Sequence, residues 1–262
     1  MSDLKVSKIK PVFKCPSEFK ARFSESTCLL TISVGQEVHE DEKFQVTIDL
    51  INNTFNKIVI LVDDSLQRHS MSLLTPQTGE ELYELSVLEG DRWLERNLET
   101  YSKLNTPYEI IRWDKWLKHA EYESIHDRIN WHYNNKPDIK EKFDSTVIEF
   151  LDRFVRRTPL DPTKSYEQAF EICLTYLKEE CTALCLWVEG QYHFEVYPSK
   201  RNLAMQTTHE MFVIPNHPDL LHPVAIKFKN RKQLKPQIFS THTHPAQGLS
   251  QKEDEKECIN VG

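Results

Sequence analysis

An α/β fold with a parallel sheet covered by helices on both faces is predicted by this sequence, on three observations. Two apolar runs of strand length, residues 28–33 and 57–64, are rich in β-branched residues, and the second is closed by two acids, Asp63 and Asp64. Runs without polar alternation mark parallel strands buried on both sides. Segments with helical spacing of apolar residues lie between such runs, and parallel strands need crossover connections of that length, right-handed by rule. The outcome is a Rossmann-like sheet. With 262 residues and 39% apolar content, one large core can be buried. We place that domain at residues 27–239, after a basic N-terminal arm over 1–26 and before a polar tail over 240–262 that lacks periodicity and reads as disordered.

In chain order, the arm carries Lys5, Lys8, Lys10, Lys14, Lys20 and Arg22 ahead of the first strand. That strand ends near Ser33, a helix follows over 40–53, and the strand over 57–64 completes a β-α-β unit. Residues 78–104 read as a long helix with leucines at 82, 85, 88, 94 and 98. Arg92, Arg96 and Lys103 share one angular stripe of it, a candidate basic face that also carries Glu99. Pro107 ends the helix, residues 109–113 form a short strand, and Asp114 can cap the helix that follows through Trp131. A second helix covers 138–157 and stops at the prolines of 159–162. Residues 165–181 are helical again, and Tyr176 and Glu180, four apart, lie one turn from each other on one face. An apolar run over 183–188, strands over 193–198 and 223–228, and a basic segment over 227–235 complete the ordered part.

Composition excludes several functions. Six glycines are too few and too scattered for a G-x-G-x-x-G or G-x-x-x-x-G-K loop, which argues against ATP and dinucleotides as cofactors. A formal charge of −7 argues against a surface that coats nucleic acid as a whole, while leaving room for local basic faces. The cysteines at 173, 181 and 185 fall in an apolar helical stretch without C-x-x-C spacing and read as buried thiols. His242 and His244 have no carboxylate partner on a rigid element, so no metal site is expected. Residues 1–15 gather no continuous apolar run, which predicts neither a signal peptide nor a membrane span, and hence a cytoplasmic protein.

Ser33 closes the first strand at the sheet's carboxyl edge, where open α/β sheets place their chemistry. A serine there is ordinarily a turn residue or helix cap, and its meaning depends on its company. That company is Leu61 to Asp64 followed by Arg68 and His69; Gly90 to Asn97; the Tyr176 and Glu180 pair; and Glu195, Val196, Tyr197 and Pro198. In this order, over roughly residues 27–230, these residues resemble a tRNA-dependent cyclodipeptide synthase. The family's fold resembles the catalytic domain of class I aminoacyl-tRNA synthetases without the ATP-binding signatures. Its commoner branch carries Asn three residues after the serine and Gln after the second tyrosine. Here those positions are Gln36 and Pro198, as in the branch marked by Tyr-Pro.

The resemblance implies an ATP-independent aminoacyltransferase whose substrates are two aminoacyl-tRNAs and whose product is a diketopiperazine, with no metal or cofactor. It implies Ser33 as the acylated nucleophile, Tyr176 and Glu180 as the holders of the ammonium, Glu180 as a base, and Tyr197 as a proton relay. An aminoacyl ester is already activated, so a serine can accept it without the full triad that amide hydrolysis needs. A carboxylate and a phenol one helical turn apart suit one amine. Gln36, Glu195 and Pro198 are candidate substrate contacts, and Arg92, Arg96 and Lys103 candidate tRNA contacts. Strand alternation puts Glu195 on the face of Tyr197, where it meets either a polar aminoacyl group or a neighbouring cation. Two rivals remain: a serine esterase, disfavoured because no G-x-S-x-G elbow is present, and a non-catalytic tRNA-binding relic of a synthetase fold.

Overall fold

The computed structural model describes residues 8–77 and 79–230. The basic residues 231–235, the tail expected over 240–262 and the His242 and His244 pair lie outside the described residues.

Among the described residues six strands form one sheet. In chain order the elements are β1 (Ile9–Lys14), α1 (Ser17–Arg22), β2 (Thr27–Ser33), α2 (Asp41–Ile51), β3 (Lys57–Asp63), α3 (Arg68–Ser72), α4 (Glu80–Tyr101), β4 (Tyr108–Arg112), α5 (Asp114–Leu117), α6 (Tyr122–Asn135), α7 (Pro137–Val155), α8 (Tyr166–Leu186), β5 (Phe194–Tyr197), α9 (Leu203–Thr208) and β6 (His222–Asn230). The strand order is β1-β6-β5-β2-β3-β4. All neighbours are parallel except β1, which runs antiparallel to β6. The expected parallel sheet is therefore a mixed one, and part of the expected arm is its edge. The reason is visible in β1: Phe13 packs on Phe23 and Phe55, while Lys10 and Lys14 stay exposed. Lysines along an edge strand also discourage pairing with another chain.

The continuous apolar strands are buried on both faces, as their composition requires. Even-numbered residues of β2 and β3, such as Leu30, Ile32, Ile60 and Val62, join Phe44 and Ile48 of α2 and Trp93 of α4 in one core. Odd-numbered Leu29, Val59 and Leu61 join the residues of α6 to α9 in the other. Gly90 lets α4 approach the end of β3 closely, since a Cβ there would lie 2.5 Å from a carboxylate oxygen of Asp64.

Three local expectations are corrected. The helix expected from Asp114 to Trp131 is two, α5 and α6, and Asp114 is not its cap. The Asp114 carboxylate instead accepts from Ser65 Oγ at 2.7 Å and from the Tyr83 hydroxyl, tying together the exits of β3 and β4. The apolar run 183–188 is for the most part the end of α8. That helix starts at a capping box of Ser165 and Gln168 and sinks into the core, so that residues 181–186 are all buried. Helix α9, capped by Asn202 through Met205 N–H at 2.9 Å, was not foreseen. Its polar residues Gln206, Thr207 and Thr208 obscure the helical period.

Candidate active site

The chain runs from β2 outward to β3 and β4, then returns to the other side of β2 with β5 and β6. The connections on the two sides of β2 therefore diverge, and the crevice between the carboxyl ends of β2 and β5 is the topological switch point of the sheet. Ser33 ends β2 and Tyr197 ends β5. Their hydroxyls are 3.2 Å apart.

Ser33 is held from behind. After it the chain makes a turn, Gln36 N–H donating to Ser33 O at 3.2 Å, with Gly35 at φ +84°, a backbone conformation suited to glycine. The turn brings back His39, fully buried, whose Nδ1 accepts from Ser33 N–H at 3.0 Å. Trp93 Nε1 donates to His39 O at 3.0 Å and fixes the turn to α4. Burial pulls the His39 pKa down to about 4, so the ring is neutral and can accept from the serine amide. None of this was read from the sequence, where His39 carried no signal beyond its nearness to Ser33.

Alternation gathers the other groups. Ser33, Asp63, Glu195 and Tyr197 are all odd-numbered and belong to the sheet face that α8 covers. Ser33 and Asp63 are direct partners in the β2/β3 register. From α8, Tyr176 and Glu180 complete the cluster, as the electrostatics show. The charges of Glu180 and Asp63 act on both tyrosines, and Glu195 acts on Glu180. Burial, helped by the Glu195 charge, pushes Glu180 up to about 8, while the adjacent Asn202 amide works in the opposite direction. Burial likewise lifts Tyr197 to about 12, so its hydroxyl keeps its proton near neutral pH and can both donate and accept. Tyr176 is raised well above the usual phenol range by burial and the same acids.

The acids differ in their partners. Glu195 forms a buried ion pair with Arg201, whose guanidinium also donates to Leu221 O at 2.6 Å. Of the two surroundings expected for Glu195, a cation is the one observed. Asp64 is paired with Arg112 and accepts from Ser65 N–H at 2.8 Å. Glu179 binds Arg68, His69 Nε2 at 3.1 Å and Trp113 Nε1 at 2.8 Å. Asp63, by contrast, is 5% exposed and its Oδ1 has no hydrogen-bond partner. Asp63 was visible in the sequence as an acid closing a strand, but its place beside Ser33 follows only from the strand register.

Gln36 is exposed on the turn, and Pro198 is half-buried after Tyr197. The α4 stripe is not a bare cationic face: Arg92 pairs with Glu89, Arg96 with Glu40 at 2.5 Å and Lys103 with Glu99 at 3.4 Å.

Neither family models nor curated protein sequences match the chain. Solved structures do. A cyclodipeptide synthase (CDPS) from Fluoribacter dumoffii is 45% identical, with a TM-score of 0.80, over 84% of this chain and 98% of that one. A cyclodipeptide synthase from Candidatus Glomeribacter gigasporarum, solved bound to Phe-tRNAPhe, is 17% identical with a TM-score of 0.64 over 84% of this chain and 93% of that one. A Mycobacterium tuberculosis protein, whose structure relates cyclodipeptide synthetases to type I tRNA synthetases, is 11% identical with a TM-score of 0.56 over 85% of this chain and 93% of that one. The last two likenesses concern the fold.

Proposed function

We infer, from the premise that this chain belongs to the cyclodipeptide synthase family, that Ser33 carries the first aminoacyl group and that the catalysis is covalent and ping-pong. The activity itself is the family's: two aminoacyl groups taken from aminoacyl-tRNAs are joined into a cyclic dipeptide. The observation that carries the serine reading is its hydroxyl, 3.2 Å from that of Tyr197 at the switch point of the sheet, with Tyr176 and Glu180 facing the same crevice.

In the first half-reaction Ser33 Oγ attacks the aminoacyl ester carbonyl, the ribose oxygen leaves, and the serine proton passes to it. Tyr197 is within reach to relay that proton. The bound aminoacyl group is an ammonium, held by Glu180 and the Tyr176 hydroxyl. An acid whose pKa lies near 8 is matched to an amine that must lose a proton near neutral pH, so Glu180 serves as the base. The neutral amine attacks the second aminoacyl-tRNA, whose ester C–O bond breaks as an N–H proton passes to the departing ribose oxygen, and the resulting dipeptidyl ester closes on itself when its free amine displaces Ser33. Tyr197 then returns a proton to the serine.

Tyr197 and Pro198 support membership of the branch marked by Tyr-Pro. Aminoacyl-tRNA is a cytoplasmic substrate, and among the described residues no helix is long and apolar enough to cross a membrane. For the tRNA we retain the α4 stripe of Arg92, Arg96 and Lys103, on the condition that phosphates displace the glutamates now paired with it. The test is direct. Purified protein mixed with charged tRNAs, without ATP, releases cyclic dipeptides detected by mass spectrometry, and Ser33→Ala abolishes both product and aminoacyl-enzyme. Cyclisation at wild-type rate by Ser33→Ala would sink the covalent mechanism.

A further inference from the structure

The mechanism above leaves one buried acid without a task. Asp63 is nearly inaccessible, its Oδ1 accepts no hydrogen bond, and every other acid around it except Glu180 has a cation of its own: Asp64 has Arg112 and Glu195 has Arg201. Ionising a buried acid that has no cation costs several kcal/mol, and such groups are retained where function needs them. Asp63 also sits beside Ser33 in the register of neighbouring strands, on the face that α8 covers. Strands in a sheet lie about 4.8 Å apart. In an aminoacyl ester of Ser33 the nitrogen is three bonds from Oγ, so about 3–4 Å away by ordinary bond lengths. The ammonium is therefore confined to the immediate neighbours of Ser33, and Asp63 is one of them.

We propose that Asp63 is a second carboxylate of the ammonium site, facing Glu180 across it, so that Asp63, Glu180 and the Tyr176 hydroxyl accept the three N–H groups of the aminoacyl ammonium. The proposal rests on the reading of Ser33 as the acylated residue. An –NH₃⁺ has three donors and no acceptor, and Asp63 and Glu180 are two acids of this cluster to which no cation among the described residues is paired. Two acids that face one site without a cation also disfavour each other's ionisation, which fits the effect of Glu180 on Asp63, held well above the ordinary carboxylate range chiefly by burial. A cation offsets that effect. When the amine becomes a nucleophile, one N–H proton passes to this pair of acids. The nitrogen lone pair then forms the new C–N bond, the ester C–O bond of the second aminoacyl-tRNA breaks, a second N–H proton passes to the departing ribose oxygen as the amide forms, and the pair of acids releases the first proton to solvent.

The experiment uses two probes on the full chain: tRNA charged with an amino acid, and the same tRNA charged with the corresponding α-hydroxy acid, which forms the same serine ester without an ammonium. Intact-mass spectrometry reads the adduct and thermal melting reads its stability. Wild type loaded with the aminoacyl group melts several degrees higher than wild type loaded with the hydroxyacyl group. In Asp63→Asn that difference falls by half or more, the adduct still forms, cyclic product falls about 10- to 100-fold, and the unloaded protein melts at or above the wild-type temperature. Asp63→Glu restores part of the product. A residue serving only the fold would instead lower melting temperature and activity together, which would overturn the proposal. Equal melting shifts for the two probes on wild type would overturn it without any variant, while the serine reading stands. Absence of any adduct on wild type would overturn the serine reading and this proposal with it.

Discussion

Glu179 and Glu180 are consecutive on α8, both turned toward the protein, and their surroundings are opposite. Glu179, 4% exposed, accepts from Arg68, Trp113 and His69, and although burial works against it these donors hold its pKa below the usual value. Glu180 faces Asp63 and Glu195, and burial with like charge lifts it to about 8. The doublet Asp63 and Asp64 repeats the pattern at the end of β3: Asp64 is tied to Arg112, while Asp63 faces the crevice with an unpartnered oxygen. In each doublet one acid is tied to an arginine and its neighbour faces the crevice without a cation. Identical side chains thus meet opposite surroundings according to the partners that the other elements supply. Only 6.2 Å separates the rings of His69, in the paired cluster, and Tyr176, in the unpaired one.

Exchanging the two glutamates by isosteric substitution tests this contrast most severely. Glu180→Gln lowers cyclic product by roughly 10²- to 10⁴-fold, the usual range for a general base, with a melting temperature at or above that of wild type. Acyl-enzyme still forms on Ser33. A parallel fall in melting temperature would show that Glu180 also fastens the fold. Glu179→Gln does the reverse: Arg68 loses its anion, which costs roughly 3 kcal/mol for a broken buried pair, and denaturant unfolding registers the loss. At temperatures where the variant is folded it keeps most of its activity.

Stability against pH sharpens the same contrast. Glu180 is raised in the folded state, so the folded protein binds more protons than the unfolded chain between about 4.5 and about 8, and its contribution declines as pH rises through that window. Glu179 is lowered, so its contribution is present above the ordinary carboxylate value and is lost as pH falls below it. Melting curves from about pH 4 to about pH 9 should therefore show Glu180→Gln flattening the decline on the alkaline side and Glu179→Gln flattening the loss on the acid side. A single shared shape for both variants would erase the distinction.

The smallest effect concerns α4. Reversing Arg92 and Arg96 removes cations that already have glutamate partners, so product formation falls only a few-fold at low salt. The salt slope of tRNA binding drops by about one for each phosphate that is no longer neutralised. An unchanged slope in filter binding would mark the stripe as a solvated face whose charges serve only their neighbours.

Much of this candidate site is legible in the sequence. Ser33 could be placed at a strand's carboxyl end, Tyr176 and Glu180 on one helical turn, and Glu195 and Tyr197 on one strand face, because each statement uses only the 3.6 or 2.0 residue period of its own element. The long apolar strands and the scarcity of glycine spoke for an α/β sheet without phosphate loops for the same local reasons. The edge strand β1 was not legible, since its lysines read as a solvated arm until Phe13 met Phe23 and Phe55.

Sequence alone, then, determined most of the strands and helices and their faces and nominated the candidate site residues, since backbone propensity and side-chain period are properties of short segments. Tertiary structure decided which charge meets which. Arg68 and Glu179 are 111 residues apart, Arg96 and Glu40 are 56 apart, and Ser33 and Tyr197 are 164 apart. Whether a buried acid is paired, as Glu179 is, or left open, as Asp63 is, depends on such distant partners, and the strength of a charge in a low-dielectric interior depends on its nearest neighbours in space.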